Sequence, residues 1–315
     1  MSTGLNHGIE LIGAPSDAGA GVAGADQGPR SLREAGLLAS LRARGWVVHD
    51  AGDLTGPPNP HSAARQGYRH LAQVSAWSRV VCQGVTTALE RGRLPLLLGG
   101  DHSLSIGSIS AVAQHCRSIG RPLRVLWFDA HADCNSRRTS PSANLHGMPV
   151  ACLRGVGPPA LTALSGRMPA LDADQLRLIG VRSVDPDEGG LVRELGLHVI
   201  TMATLRAQGV GAVMAGALDG LASDTHLHVS LDLDFLDPTV APGTGTAVSG
   251  GATLEEARDC LRRIAATGRL ASLDVMELNP ARDPQGITAQ HAVDLVCTLL
   301  DAPGRDDESK NLGRA

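Results

Sequence analysis

The sequence predicts an α/β protein built on a central, mostly parallel sheet of about eight strands. Short apolar runs alternate with longer amphipathic segments along the chain, as strands and crossover helices do in a parallel sheet. Several of the runs are apolar throughout, as strands buried on both faces are. Aromatic residues are scarce, with one Tyr and two Phe against 38 Gly, so packing relies on aliphatic side chains and close backbone approach.

The first strand is IELIGA from Ile9. Behind it Gly19, Gly21 and Gly24 imitate a dinucleotide-binding fingerprint, with Asp50 ending the next strand. In a true fingerprint the third glycine lies inside the helix, whereas here the helix begins only near Pro29, so these glycines read as a mobile loop. The helix from Pro29 runs to Leu38. The second strand is WVVHDA from Trp46, and a long helix over Tyr68–Arg91 precedes the third, LPLLLGG from Leu94. LRVLWFD from Leu123, LRLIGV from Leu176, LHVI from Leu197 and HLHVSLDLD from His226 follow. Thr253 opens a helix with Glu256 at capping-box spacing. The last strand is LASLDVME from Leu270, and His291–Leu300 is the final helix. With no internal repeat or linker, one domain over residues 1–315 is expected, its last residues (304–315) a frayed tail.

Composition narrows the function. A net charge of -4 with Lys and Arg spread along the chain leaves no basic patch for a phosphate backbone, so a small molecule and not nucleic acid is the expected partner. The six cysteines form no C-x-x-C pair and read as reduced thiols of a soluble, cytoplasmic protein. The amino terminus lacks a secretory pattern, and no apolar stretch is long enough for a membrane span.

The polar segments sit at the carboxyl ends of the strands. GGDHS follows LPLLL, DAHAD follows VLWF, VDPDE follows LIGVRS, DLD follows HVSL, and MELNP follows SLDV. In a parallel sheet such segments meet at one crevice. Asp129, His131 and Asp133 alternate, and alternate side chains of an extended chain face one side. Asp232 and Asp234 repeat the spacing, and His102 arrives beside Asp101 from a third strand end. Imidazole and carboxylate donors without thiolate favour manganese. Six ligands exceed what one ion with an open position needs, so two ions are implied, with Asp129 and Asp232 as the natural bridges. DPTVAPG alone reads as a solvated turn. His7, His49, His61, His70, His115, His198 and His291 carry no motif, and His226 and His228 lie upstream on their strand, away from its carboxyl end.

GGDHS (Gly99–Ser103), DAHADCN (Asp129–Asn135), SLDLDFLDPTVAPGTGT (Ser230–Thr246) and MELNP (Met276–Pro280) together resemble the ureohydrolase family, which includes arginase and agmatinase, over nearly the whole chain. The resemblance implies a three-layer α/β/α fold, two Mn2+ ions on the six ligands, and hydrolysis of a guanidino compound to urea and an amine by a metal-bridging hydroxide. It also implies a trimer or hexamer. The segment after the metal triplet is similar to the arginase pattern, in which Asn135, Ser142 and Ser140 would hold an α-carboxylate and Asp185 and Glu188 an α-amino group. Thr246 resembles a family residue near the guanidinium. The expected reaction is therefore L-arginine to L-ornithine and urea. Agmatine, another guanidino acid, N-hydroxyarginine or a non-catalytic arginine-binding role are the alternatives. In that chemistry Asp133 would bind one ion and orient the hydroxide, Glu277 would hold the guanidinium, and His146 would shuttle a proton. Two features depart from the pattern: the basic pair Arg137 and Arg138 inside the loop, and the bulky Phe235 beside Asp234.

Overall fold

All eight predicted strands form in the computed structural model, which describes residues 8–60 and 67–301. They are β1 (Ile9–Ala14), β2 (Val48–Asp53), β3 (Leu94–Gly99), β4 (Leu123–Phe128), β5 (Leu176–Val181), β6 (His198–Thr201), β7 (His226–Asp232) and β8 (Leu270–Met276). They join one sheet in the order β2-β1-β3-β8-β7-β4-β5-β6, and every neighbouring pair is parallel. The central strands are buried end to end, while β2 and β6 are the polar, half-exposed ones. These two lie at the edges, where one flank has no partner strand among the described residues.

Helices cover both faces. On one side lie α1 (Gly28–Glu34) and α2 (Leu37–Ala43); across the sheet from them is α3 (Leu71–Glu90) with α4 (Ser105–Ser118), α5 (Pro149–Leu153), α6 (Pro159–Thr162) and α7 (Glu188–Glu194). Further on, α8 (Met202–Gln208), α9 (Val210–Leu218), α10 (Leu254–Ala265) and α11 (Ile287–Leu300) return to the first side. Alternate strand residues feed the two cores: Leu94, Leu96 and Leu98 enter one, Leu97 the other. The sheet is thus the middle of three layers.

Several boundaries differ from expectation. The helix expected over Pro29–Leu38 breaks at Gly36, whose φ of 89° no helix accepts, and resumes as α2. Helix α11 starts four residues before His291, after Gly286 at φ 71°. The capping box forms as predicted: the Thr253 hydroxyl accepts from the Glu256 N–H at 3.1 Å, and the Glu256 carboxylate accepts from the Thr253 N–H at 2.8 Å. The tail over 304–315, the first seven residues and His61 lie outside the described residues.

The glycine loop after β1 is not the loose segment its composition suggests. The Gly19 N–H donates to Asp101 Oδ2 at 2.8 Å, and a Cβ there would stand 2.6 Å from Ser103 Oγ. Gly24 has φ 119° and backs onto Asn279. These glycines admit close approach of the loop to the strand ends, and Asp50 pairs with Arg33 at 2.9 Å.

His226 and His228 belong to a buried polar stripe on β7. Both ring systems meet Ser272 Oγ at 2.8 Å, through His226 Nε2 and His228 Nδ1. Burial, then the neighbouring His228, His115 and Arg121, pushes the His226 imidazole pKa from 6.5 down to about 3. It stays neutral in the fold but takes up a proton in the unfolded chain below 6.5. Its contribution to stability is therefore present above pH 6.5 and lost as the pH falls toward 3, on the order of 1 kcal/mol per pH unit. Urea denaturation of wild type and His226→Gln between pH 7 and pH 5 should show a smaller decline for the variant; parallel declines would refute it.

Candidate metal centre and substrate cleft

Five strands adjacent in the sheet, β3, β8, β7, β4 and β5, deliver the polar groups. Beyond β3 the chain turns at Asp101, whose carboxylate accepts from the Ser103 N–H at 2.9 Å and starts a 3-10 turn, His102–Leu104. The His102 ring stacks on Trp127 with centroids 4.0 Å apart and planes at 11°. Its Nε2 lies 2.9 Å from Ser230 Oγ. The other nitrogen, Nδ1, faces Asp232 at 3.0 Å, Asp129 Oδ2 at 3.1 Å and Asp133 at 3.3 Å. His131 Nδ1 faces Asp234 at 3.1 Å and Asp129 Oδ1 at 3.3 Å.

Two groups suited to hold a cation result: His102, Asp129 and Asp133, and Asp129, His131 and Asp234, each with ligand atoms within 4.8 Å of one another. Asp129 is common to both and turns one oxygen to each. Asp232, the other expected bridge, reaches the first group through His102, while its Oδ1 accepts the Asp234 N–H at 2.7 Å. The six residues do converge, but not by strand alternation alone. Extended chain carries only as far as His131, which bridges to Ser183. Asp133 then sits at φ 49°, and Asp234 lies in a 3-10 turn capped by Asp232.

The electrostatics ask for a cation. Burial and then the Asp129 charge push the Asp133 carboxyl well above its usual range, and burial with Asp234 and Asp129 does the same to Asp232. Burial opposes a charge on His102, yet hydrogen bonds to Asp129 and Asp232 raise its affinity for a proton. Four buried carboxylates against two imidazoles leave excess negative charge in a low-dielectric place. Among the described residues, Asp133 Oδ2 is buried without a hydrogen-bond partner. An orphaned carboxylate oxygen facing an imidazole nitrogen and other carboxylates fits a metal ligand.

Glu277 follows β8 at φ 65°. Its Oε1 accepts the His102 N–H at 2.9 Å and stands 2.9 Å from His146 Nδ1. His146 is carried by a 3-10 turn, Leu145–Gly147, and its own N–H donates to Gly19 O at 3.1 Å. Burial disfavours its charge, but the Glu277 carboxylate prevails and holds the imidazole pKa above its ordinary value.

A cleft of about 220 Å³ opens over these groups. His102, His131, Asp133, Asp232 and Glu277 form its floor, and Asn135, Ser140, Ser142, His146, Asp185, Glu188 and Thr246 also line it. Asp129 and Asp234 lie beneath, fully buried. Asn135 Nδ2 donates to Asp185 Oδ2 at 2.9 Å. Glu188 ties two loops together, accepting from the Cys134 N–H at 2.8 Å and the Asp185 N–H at 3.0 Å. The Thr246 hydroxyl donates to Asp234 Oδ2 at 3.1 Å, so it orients a metal-type carboxylate as well as lining the cleft. Asn144, Gly147 and Ser183 line it too, and sequence reasoning missed them. Their places, inside the NLHG stretch and just past β5, carried the signal.

The two departures from the family pattern do not reach the cleft. Arg137 and Arg138 are exposed. Phe235 is turned into the core, where it meets Phe128 edge-on with ring centroids 5.2 Å apart. It fills the space that Gly180 leaves open, where a Cβ would stand 2.3 Å from the ring.

A sequence model of the Arginase family matches residues 7–301. The chain is 36% identical to an arginase of Brevibacillus brevis over 297 residues, covering 94% of this chain and 98% of that one. It is 40% identical to an arginase of Agrobacterium fabrum over 300 residues, covering 92% and 90%. Among solved structures, the arginase of Bacillus caldovelox superposes with a TM-score of 0.88 at 38% identity, covering 93% of this chain and 98% of that one.

Proposed function

The chain belongs to the arginase family, and from that premise we propose that it hydrolyses L-arginine to L-ornithine and urea with two Mn2+ ions. The observation that carries the substrate is the wall of the cleft: Asn135, Ser140 and Ser142 stand with Asp185 and Glu188 over the metal-type floor. Hydroxyl and amide donors suit a carboxylate, and an acid pair suits an ammonium, so together they read an amino acid head group. Agmatine has no carboxylate and would leave those donors unmatched. The volume, below the roughly 300 Å³ at which drug-sized sites begin, suits a ligand of amino-acid size.

His102, Asp129, His131, Asp133, Asp232 and Asp234 would hold the ions, and an all-nitrogen-and-oxygen donor set with four carboxylates favours manganese. Bound there, the metals supply an activated water nucleophile near neutral pH and neutralise the carboxylates. The chain's residues do the rest. Asp133 would bind one ion and orient the attacking water. Glu277 receives the guanidinium, with Oε1 steadied by the His102 N–H. His146 has its Nδ1 engaged by Glu277, which leaves Nε2 to protonate the departing amine.

The test is urea release by purified, Mn2+-loaded protein offered L-arginine, agmatine and 4-guanidinobutyrate in parallel. L-Arginine should be the substrate, with agmatine poorer because it brings no carboxylate to Asn135, Ser140 and Ser142. Urea from agmatine or guanidinobutyrate without urea from L-arginine would overturn the assignment. Tight L-arginine binding without urea would favour a binding protein instead.

A further inference from the structure

Beneath His102 a chain of hydroxyls runs through the core to Asp274 in the middle of β8. Ser230 Oγ lies 2.9 Å from His102 Nε2 and 3.2 Å from Ser105 Oγ. Ser105 donates to Asp274 Oδ2 at 3.0 Å, and Ser108 donates to Asp274 Oδ1 at 2.6 Å. His102, Ser230, Ser105 and Asp274 are each at most 1% exposed. No bulk solvent competes for their protons, and a buried polar chain of this kind is costly unless every member is satisfied.

We infer that Asp274 is a positioning residue that fixes the tautomer of His102 through Ser105 and Ser230. A carboxylate accepts only, and each serine hydroxyl has a single proton to donate. With the proton of Ser105 committed to Asp274, Ser105 must accept from Ser230. The proton of Ser230 is then committed as well, so Ser230 must accept from His102. Nε2 therefore carries the ring hydrogen, and Nδ1 presents its lone pair to the point where Asp129, Asp133 and Asp232 converge. A metal ligand's partner usually orients it directly; here the orienting charge stands three hydrogen bonds away. Ser108 satisfies the same carboxylate but lies off the path, which makes it a matched control. The inference rests on the metal-centre reading above.

The experiment measures Mn2+ affinity of metal-stripped wild type, Ser105→Ala and Ser108→Ala, with thermal midpoints of the stripped proteins recorded alongside. Ser105→Ala frees the Ser230 proton to turn toward His102, and the Mn2+ dissociation constant should rise about ten- to a hundredfold, while Ser108→Ala stays within about twofold of wild type. In Zn2+-loaded protein with 15N-labelled histidine, the His102 Nε2–H resonance should be sharp in wild type and Ser108→Ala and exchange-broadened in Ser105→Ala. Should Ser105→Ala fail to fold, Asp274→Ala, which removes the acceptor of the Ser105 proton, should show the same loss. Equal affinities for Ser105→Ala and wild type, or equal losses in the two alanine variants, would overturn the relay. A wild type that binds no Mn2+ would reject the metal centre itself and the relay with it.

Discussion

Asp129→Asn is expected to abolish urea production and to strip metal from both groups at once. Asp129 is the residue common to both, with Oδ2 near His102 and Oδ1 near His131. An amide offers one weaker acceptor and no charge, so neither group keeps its full donor set. The same carboxylate also accepts the Trp127 indole N–H at 2.9 Å and the His131 backbone N–H. An Asn side chain can serve only one of these donors through its oxygen, and the orphaned donor costs about 1–3 kcal/mol. After dialysis, metal analysis of the variant should give far less than wild-type manganese, and urea release should be undetectable. Two retained equivalents of manganese would contradict a shared bridge.

His146→Asn should separate chemistry from metal binding. His146 meets the site through Glu277 and touches none of the six ligands with a hydrogen bond. Loss of a general acid typically costs 10²–10⁴-fold, so kcat should fall at least about a hundredfold with manganese content unchanged. KM should change less, because Asn135, Ser142 and Asp185 still line the cleft. Steady-state kinetics beside metal analysis decides the matter. Manganese loss matching that of Asp129→Asn would remove the division of roles between the two residues.

The sheet and the ligand segments were legible because the same physics wrote both. A strand covered on two faces is apolar along its length, so runs such as LPLLL and VLWF stand out, and costly polar residues at their ends stand out against them. What the sequence concealed depended on chain that meets only in the fold. The glycines after β1 look loose until Asp101 and Asn279 are brought against them. Phe235 looks obstructive until Gly180 makes room for its ring behind the sheet. His226, His228 and Ser230 alternate on β7 as a polar stripe, yet their partners Ser105, Ser272 and Asp274 come from elements far away in sequence. Alternation predicted convergence of Asp129, His131 and Asp133, but the last of these arrives by a turn that no strand pattern encodes.

Asp133 and Glu277, at φ 49° and 65°, occupy backbone geometry that glycine adopts freely and that Asp tolerates better than Glu. Such conformations cost about 1–3 kcal/mol each and persist where the surroundings enforce them. A chain optimised for thermal endurance alone would put glycine at both positions and lose the two carboxylates on which turnover is proposed to depend. The proposed chemistry and the folding stability of this chain therefore pull in opposite directions at these two residues, and the tension should be greatest at Glu277.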